Sequence, residues 1–125
     1  IDILKNNISK LKSINTIIIQ SNTELEILRR DVSKLNYYID MEYMILDKGI
    51  YYTIIRFKKG IKKYNKYELY FGPILLNNYD DTFINYHKKE YDRLVNIYKK
   101  LPRSKITDRY KIKKKIIMYK KILFK

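Results

Sequence analysis

The stretch SNTELEILRRDVSKLNYYIDMEYMIL, residues 21–46, decides the predicted fold. Ser21 followed three positions later by Glu24 matches a capping box, in which the serine oxygen accepts from a backbone amide and the glutamate reaches back to the cap. Behind this cap, apolar residues recur every three or four positions, which is the spacing of one helical face. Gly49 offers a C-terminal stop. The pattern predicts a long amphipathic helix whose apolar face holds Leu25, Leu28, Val32, Leu35, Ile39, Tyr43 and Leu46.

Upstream of this stretch, residues 1–20 predict an N-terminal arm helix. The β-branched residues at 16–19 weaken the helical propensity, so an extended second half is an alternative. The chain begins at Ile1, which fits either a removed presequence or a fragment of a longer product. The helical interpretation rests on apolar residues at one face, namely Ile1, Leu4, Ile8, Leu11, Ile14 and Ile18.

Downstream, two β-branched and aromatic runs predict a β-hairpin. They are residues 50–57 (IYYTIIRF) and 67–76 (YELYFGPILL), separated by the basic loop KKGIKKYNK. Gly72 and Pro73 end or bulge the second strand, because proline cannot donate to a sheet.

The C-terminal third predicts two more helices. Asp80 or Asp81 caps the first, which runs to about Leu101 and is stopped by Pro102. Residues 106–125 form the second, with an apolar side opposite a side that is nearly all lysine.

The predicted fold class is α+β: amphipathic helices, including N-terminal helices and a basic C-terminal helix, with one β-hairpin, so the chain is mainly helical. A length of 125 residues predicts a single domain. Within residues 1–125 we distinguish the arm helix at 1–20, a hairpin-plus-helix insertion at 47–101 and the basic C-terminal helix at 103–125.

Charge is the strongest functional signal. The chain has 28 basic and 13 acidic residues, so its formal net charge is +15. Residues 99–125 hold twelve basic side chains and one acidic, whereas residues 21–47 hold more acidic than basic ones. Such segregation indicates a polyanionic partner, because a lysine-rich helix face can follow phosphates without exact orientation. A solvated helix face or an anionic membrane surface are the alternatives.

The candidate nucleic-acid-binding residues form two groups. The first lies in and around the hairpin loop, where Tyr64 is also a candidate for stacking on an unpaired base. The second follows the C-terminal helix. The loop group is Arg56, Lys58, Lys59, Lys62, Lys63, Tyr64 and Lys66; the C-terminal group is Lys99, Lys100, Arg103, Lys105, Arg109, Lys111, Lys113, Lys114, Lys115, Lys120 and Lys121.

Catalytic constellations are sparse. The absence of cysteine excludes disulfides, Cys-based zinc sites and thiol nucleophiles, and the single His87 excludes a two-histidine metal site. Carboxylates at Asp40, Glu42 and Asp47, and at Asp80 and Asp81, could hold Mg²⁺, although capping and solvation explain them with fewer assumptions. We predict no catalytic residue, no metal and no cofactor.

The segment at 112–123 (IKKKIIMYKKIL) is similar to the closing helix of ribosomal protein twenty-nine of the large subunit, and residues 21–46 resemble that family's first helix. The resemblance, over residues 21–46 and 107–124, implies a structural, non-enzymatic component of an organellar ribosome. Its implied partners are ribosomal RNA and neighbouring ribosomal proteins, without a small-molecule substrate or a membrane span. The implied location is the mitochondrial or another organellar matrix.

Two alternatives remain open from the sequence. A hairpin followed by a helix also occurs in arm-binding domains of integrases, which suggests a DNA-binding protein of a virus or mobile element. Residues 49–51 (GIY) and 70–72 (YFG) resemble the two halves of the GIY-YIG nuclease motif. In that family the halves are about ten residues apart on adjacent strands, whereas eighteen residues separate them here.

Overall fold

The computed structural model describes residues 15–124. They form two compact units, one ending at Tyr79 and one beginning at Asp80. Residues 1–14, the first part of the predicted arm helix, lie outside the described residues, and the single domain predicted from the length stays a prediction. The elements are β1 (Thr16–Ser21), α1 (Leu25–Lys34), β2 (Tyr37–Asp47), β3 (Ile50–Lys59), α2 (Lys66–Phe71), α3 (Leu75–Asn78), α4 (Asp81–Lys100) and α5 (Ile106–Leu123).

The first unit is built on a three-stranded sheet in the order β1-β3-β2. Because β3 is antiparallel to both neighbours, β1 and β2 run parallel to each other. Helix α1 connects these two strands and packs on one face of the sheet, where its Leu28 and Val32 join the strand residues of the core. The buried strand residues of this core are Tyr37, Ile39, Ile55 and Phe57.

The helix predicted from Ser21 begins four residues later and is much shorter. Ser21 is the last residue of β1, and its hydroxyl bonds the backbone of Thr23 instead of capping a helix. Glu24 is the N-cap in a left-handed conformation, without a side-chain cap bond. The helix ends before Asn36, whose φ of 67° lies in the left-handed region that asparagine tolerates.

The second half of the predicted helix, residues 37–46, is strand β2. The prediction was wrong because a spacing of three and four at Ile39 and Tyr43 coexists with alternation at Tyr37 and Ile39, and β3 offers a long antiparallel partner. Between the two strands, Lys48 and Gly49 both have positive φ, which is the backbone of a tight hairpin turn. Gly49 therefore closes a hairpin and does not stop a helix.

A β-bulge in β2 changes which side chains face the core. The pairing register shifts between Ile39 and Met41, leaving Asp40 as the extra residue. An extra residue inverts the alternation that follows it. Glu42 therefore takes the buried side of the sheet, where an unbulged strand would place Met41.

The predicted second hairpin strand, residues 67–76, is helical. Asn65 and Glu68 form a capping box: Asn65 Oδ1 accepts from the Glu68 amide over 2.8 Å, and Glu68 Oε1 accepts from the Asn65 amide over 2.9 Å. This reciprocal cap starts α2, which ends at Gly72. The first predicted strand is confirmed as β3, but its partners are β1 and β2.

In the second unit both predicted helices are confirmed. Asp80 caps α4, with its carboxylate accepting from the Phe83 amide over 2.9 Å. The helices run antiparallel, because Tyr98 near the end of α4 contacts Arg109 near the start of α5, and His87 near the start of α4 contacts Tyr119.

The predicted fold class is wrong in its sheet. The structure has a three-stranded sheet with a parallel crossover in place of one isolated hairpin. Among residues 15–124, no helix is long and apolar enough to cross a membrane.

Candidate nucleic-acid interface

The basic loop after β3 lies at one end of the sheet. Lys58 and Lys59 end β3, at the end of the sheet where β1 and β2 begin. In open α/β sheets, ligands bind at the opposite end, outside the carboxyl ends of the parallel strands. The loop lysines therefore do not lie at the end of the sheet where such ligands bind.

Arg56 is committed to an ion pair across the sheet. Its Nη2 lies 2.8 Å and its Nε 3.0 Å from Asp40 Oδ2, and Lys58 Nζ lies 3.5 Å from the same oxygen. The hydrogen bonds from Arg56 hold the pKa of Asp40 below its ordinary value, and Asp40 in turn raises the pKa of Arg56. The bulge places Asp40 beside these two cations, and Arg56 therefore forms an ion pair within the fold.

Tyr64 serves as a packing residue of the first unit. Its hydroxyl accepts from the Ile39 amide over 2.8 Å, and its ring packs against the core. Burial raises the pKa of this hydroxyl. Lys62 lies over the same ring, 5.7 Å from its centroid, and Lys66 lies over the Tyr67 ring. Of the loop group, Lys58, Lys59, Lys62, Lys63 and Lys66 are exposed.

The C-terminal group is almost entirely exposed, with one exception. Arg109 Nη1 donates to the carbonyl of Leu101 over 3.0 Å and to that of Tyr98 over 3.4 Å, and its guanidinium lies 4.3 Å from the Tyr98 ring centroid. A cation at the end of a helix satisfies its last carbonyls. Arg109 therefore ties the end of α4 to the start of α5. The exposed members are Lys99, Lys100, Arg103, Lys105, Lys111, Lys113, Lys114, Lys115, Lys120 and Lys121.

His87 is buried in an aromatic cluster of the second unit. Its ring centroid lies 4.4 Å from that of Phe83, 4.9 Å from that of Tyr86 and 5.6 Å from that of Tyr119. The surroundings fit the structural histidine that its place on an apolar helix face predicts.

Three of the five carboxylates considered for Mg²⁺ serve the fold. Asp40 pairs with Arg56, Glu42 pairs with Arg29, and Asp80 caps α4. Among residues 15–124 no group of three or more histidine and carboxylate side chains could hold a metal ion. The two halves of the GIY-YIG resemblance do not lie on adjacent strands, because residues 50–51 begin β3 and residues 70–71 end α2.

A buried ion pair that the sequence pattern does not predict joins Arg29 and Glu42. Arg29 Nε donates to Glu42 Oε2 over 2.8 Å, and both side chains are essentially without solvent exposure. Arg29 also donates to the carbonyl of Leu69, while Glu42 Oε1 accepts from the amide of Ile74. Desolvation lowers the pKa of Arg29, and Glu42 opposes that shift. One signal was present: Arg29 falls four residues after Leu25, on the apolar face of its helix.

Comparison with solved structures defines the class of protein. A Streptococcus agalactiae protein of the NADB-Rossmann superfamily is 30% identical, with a TM-score of 0.93 over 98% of this chain and 53% of that chain. A Streptococcus pneumoniae protein, a putative tRNA (m1A22) methyltransferase, shows the same fold at 24% identity and a TM-score of 0.92, over 98% of this chain and 55% of that chain. The sheet of the first unit is therefore part of a Rossmann-like fold, of which the chain spans about half the length.

The particular family follows from a family model. Residues 1–121 match the model of TrmK, tRNA (adenine(22)-N(1))-methyltransferase, and the chain belongs to this family. Mycoplasma capricolum TrmK, solved in complex with S-adenosyl-homocysteine, is 28% identical with a TM-score of 0.84, over 98% of this chain and 54% of that chain. No curated protein sequence matches the chain significantly.

These findings overturn the ribosomal interpretation. The chain belongs to a methyltransferase family, so the expectation of a non-enzymatic ribosomal protein resembling the large-subunit protein twenty-nine is wrong. The expected ribosomal RNA partner, the absence of a small-molecule substrate and the organellar-ribosome location are wrong with it. Neither the DNA-binding alternative nor the GIY-YIG alternative is supported. The run IKKKIIMYKKIL carried the ribosomal resemblance, because such a run fits any basic amphipathic helix.

Proposed function

We propose that the full-length protein transfers a methyl group from S-adenosylmethionine to N1 of an adenine in tRNA, and that the basic surface of α5 binds the tRNA backbone. The family match over residues 1–121 carries the first part of this proposal. The six exposed lysines of α5, with four exposed cations that precede it in the chain, support the second.

When bound, S-adenosylmethionine would supply the activated methyl group, and S-adenosylhomocysteine and N1-methyladenine would be the products.

The described residues do not fit the cofactor-binding part of such a protein. A nucleotide-type ligand in a Rossmann-like fold lies against a glycine-rich turn after a parallel strand. Here the turn after β1 holds no glycine and is closed by hydrogen bonds between Ser21 and Thr23. We therefore assign no cofactor contact to residues 15–124.

The α5 surface suits phosphate binding more than base reading. Lysine is a point charge with no fixed geometry, whereas base edges are read by bidentate arginine, asparagine or glutamine. Of the three arginines after residue 90, Arg93 pairs with Glu90 and Arg109 binds backbone carbonyls. The lysines and the exposed Arg103 remain to neutralise phosphates, and their contribution falls as salt rises.

The experiment measures methyl incorporation from labelled S-adenosylmethionine into unmodified tRNA by the full-length protein. We expect incorporation by the wild type. In a variant with Lys111, Lys113, Lys114, Lys115, Lys120 and Lys121 changed to Glu, tRNA affinity falls at least a hundredfold while cofactor affinity is unchanged.

The control variant combines Lys34→Glu and Lys48→Glu, two exposed lysines of the first unit outside both candidate groups. It tests whether any loss of positive charge has the same effect. An inactive wild type refutes the methyltransferase proposal. Equal tRNA affinity of the six-lysine variant and the wild type refutes the role of α5.

A further inference from the structure

Helix α5 has a second apolar side that faces solvent. Ile106, Tyr110 and Ile117 are 75%, 62% and 45% exposed. At 100° per residue these three positions fall within an arc of about 40°. Tyr119 and Ile122 are buried on nearly the opposite side of the helix. We call the exposed trio the outer stripe.

The sequence predicts that α5 has one apolar side and one side that is nearly all lysine. In the structure the second side also holds the apolar outer stripe, with lysines on both sides of it. Lys114 Nζ lies over the Tyr110 ring, 5.1 Å from its centroid. By helical position, Lys113 and Lys120 lie along one side of the stripe, and Lys114 and Lys121 along the other.

The charges beside the outer stripe indicate which kind of partner can bind it. A second copy of the same helix would bring lysines against lysines, which is unfavourable, whereas paired helices carry opposite charges beside their apolar seam. Flanks of a single positive sign complement a polyanion. Within the described part of α5, Asp108 is the single acidic residue.

The apolar side chains of the outer stripe favour unpaired RNA over paired RNA as the partner. A paired RNA helix presents phosphates and 2′-hydroxyls, and lysines alone suffice to hold it. Unpaired loop bases expose flat apolar faces that stack on aromatic side chains, with the phosphates alongside.

We propose that the outer stripe contacts unstacked bases of a tRNA loop, with Tyr110 as the stacking residue and the flanking lysines on the adjacent phosphates. This inference rests on the proposed function for the identity of the RNA. It goes beyond that function in dividing the surface into a base-contacting stripe and phosphate-binding flanks.

The test compares two RNAs with the full-length protein: unmodified tRNA and a fully paired RNA duplex of equal length. For Tyr110→Ser we expect tRNA affinity to fall about tenfold, the size of one lost stacking interaction. Affinity for the duplex and the salt dependence of tRNA binding should stay within twofold of the wild type, because no charge is removed. Tyr110→Phe, which keeps the ring, should bind tRNA as the wild type does.

The matched control is Tyr43→Ser, which removes a tyrosine of similar exposure, 56%, from the sheet of the first unit. It should bind both RNAs normally. Unchanged tRNA affinity in Tyr110→Ser, or an equal loss on both RNAs, overturns the proposal. A changed oligomeric state in light scattering also overturns it, because the stripe would then be a protein interface.

Methyl transfer by the wild type is measured in parallel, so the two proposals fail separately. An active wild type whose Tyr110→Ser variant binds both RNAs normally contradicts the stripe alone. An inactive wild type whose variant loses loop binding selectively contradicts the proposed reaction alone.

Discussion

Arg29 Nε donates to Glu42 Oε2 over 2.8 Å in the interior of the first unit, where neither side chain is accessible to solvent. The pair joins α1 to β2 and, through backbone groups on either side of Gly72, fixes the segment between α2 and α3. Removing one partner of such a buried pair strongly destabilises the fold, because the remaining charge is buried with neither solvent nor a counter-charge to compensate it.

Changing Glu42 to Gln should therefore lower the free energy of unfolding by about 3–5 kcal/mol, since it leaves the Arg29 charge buried without its partner. Urea denaturation of the full-length protein measures this. The matched control is Glu90→Gln, which breaks the exposed Glu90–Arg93 pair and should cost less than about 1 kcal/mol. Equal costs for the two variants would contradict the structural role of the buried pair.

Gly72 lies where a side chain would collide with this pair. A Cβ there would lie 2.6 Å from Glu42 Oε1, and the φ of 101° adds backbone strain. Gly72→Ala should destabilise the protein by about 2–4 kcal/mol. At Gly49, whose φ is also positive but whose Cβ would meet nothing within 4 Å, the same change should cost about 1 kcal/mol. Thermal melts compare the two variants. A larger loss of stability at Gly49 would contradict the claim that a side chain at Gly72 collides with the buried ion pair.

The Asp40–Arg56 pair predicts a pH dependence. Because the pKa of Asp40 is lowered by the hydrogen bonds from Arg56, its contribution is fully present above the ordinary value of 3.8 and is lost as pH falls through the lower folded value. The stability difference between wild type and Asp40→Asn should be constant from pH 5 to pH 7 and shrink below about pH 4. Chemical denaturation across this range tests it; a difference that grows towards low pH would mean that the sign is wrong.

Arg109 should matter for stability more than its neighbours on α5. Arg109→Met removes donors to the carbonyls of Leu101 and Tyr98 and should cost about 1–3 kcal/mol. Arg103→Met, at an exposed position, should stay within about 0.5 kcal/mol of the wild type. If both variants unfold at the same temperature, Arg109 does not tie the two helices together.

The sequence predicted the helical second unit well, because its signals were local. Asp80 provides the cap of α4, Pro102 follows its end, and apolar residues recur along α4 at helical spacing. The first unit depended on distant pairing. Residues 37–46 fit a helical period, and only the presence of β3 as a partner makes them a strand. Asn36, in a left-handed conformation, was the local sign that the helix had ended.

The same difference between local signals and distant pairing applies to the candidate interface. The lysines of α5 are exposed as their pattern predicts, but Arg56 and Tyr64 are used inside the fold by partners on β2 that the sequence did not place nearby. The exposed Tyr110 was missed because a single tyrosine among lysines looks like part of an ordinary amphipathic pattern. Its position opposite the buried side of α5 became evident only once Tyr119 and Ile122 were seen to be buried.

Methyl transfer by the full-length protein is measured on two tRNAs that differ at one base. One carries adenine at position 22 and the other guanine. If the proposed reaction is correct, we expect one methyl group per molecule of the first tRNA, found as N1-methyladenine at that position, and none on the second. Equal incorporation into both, or none into either, would contradict it.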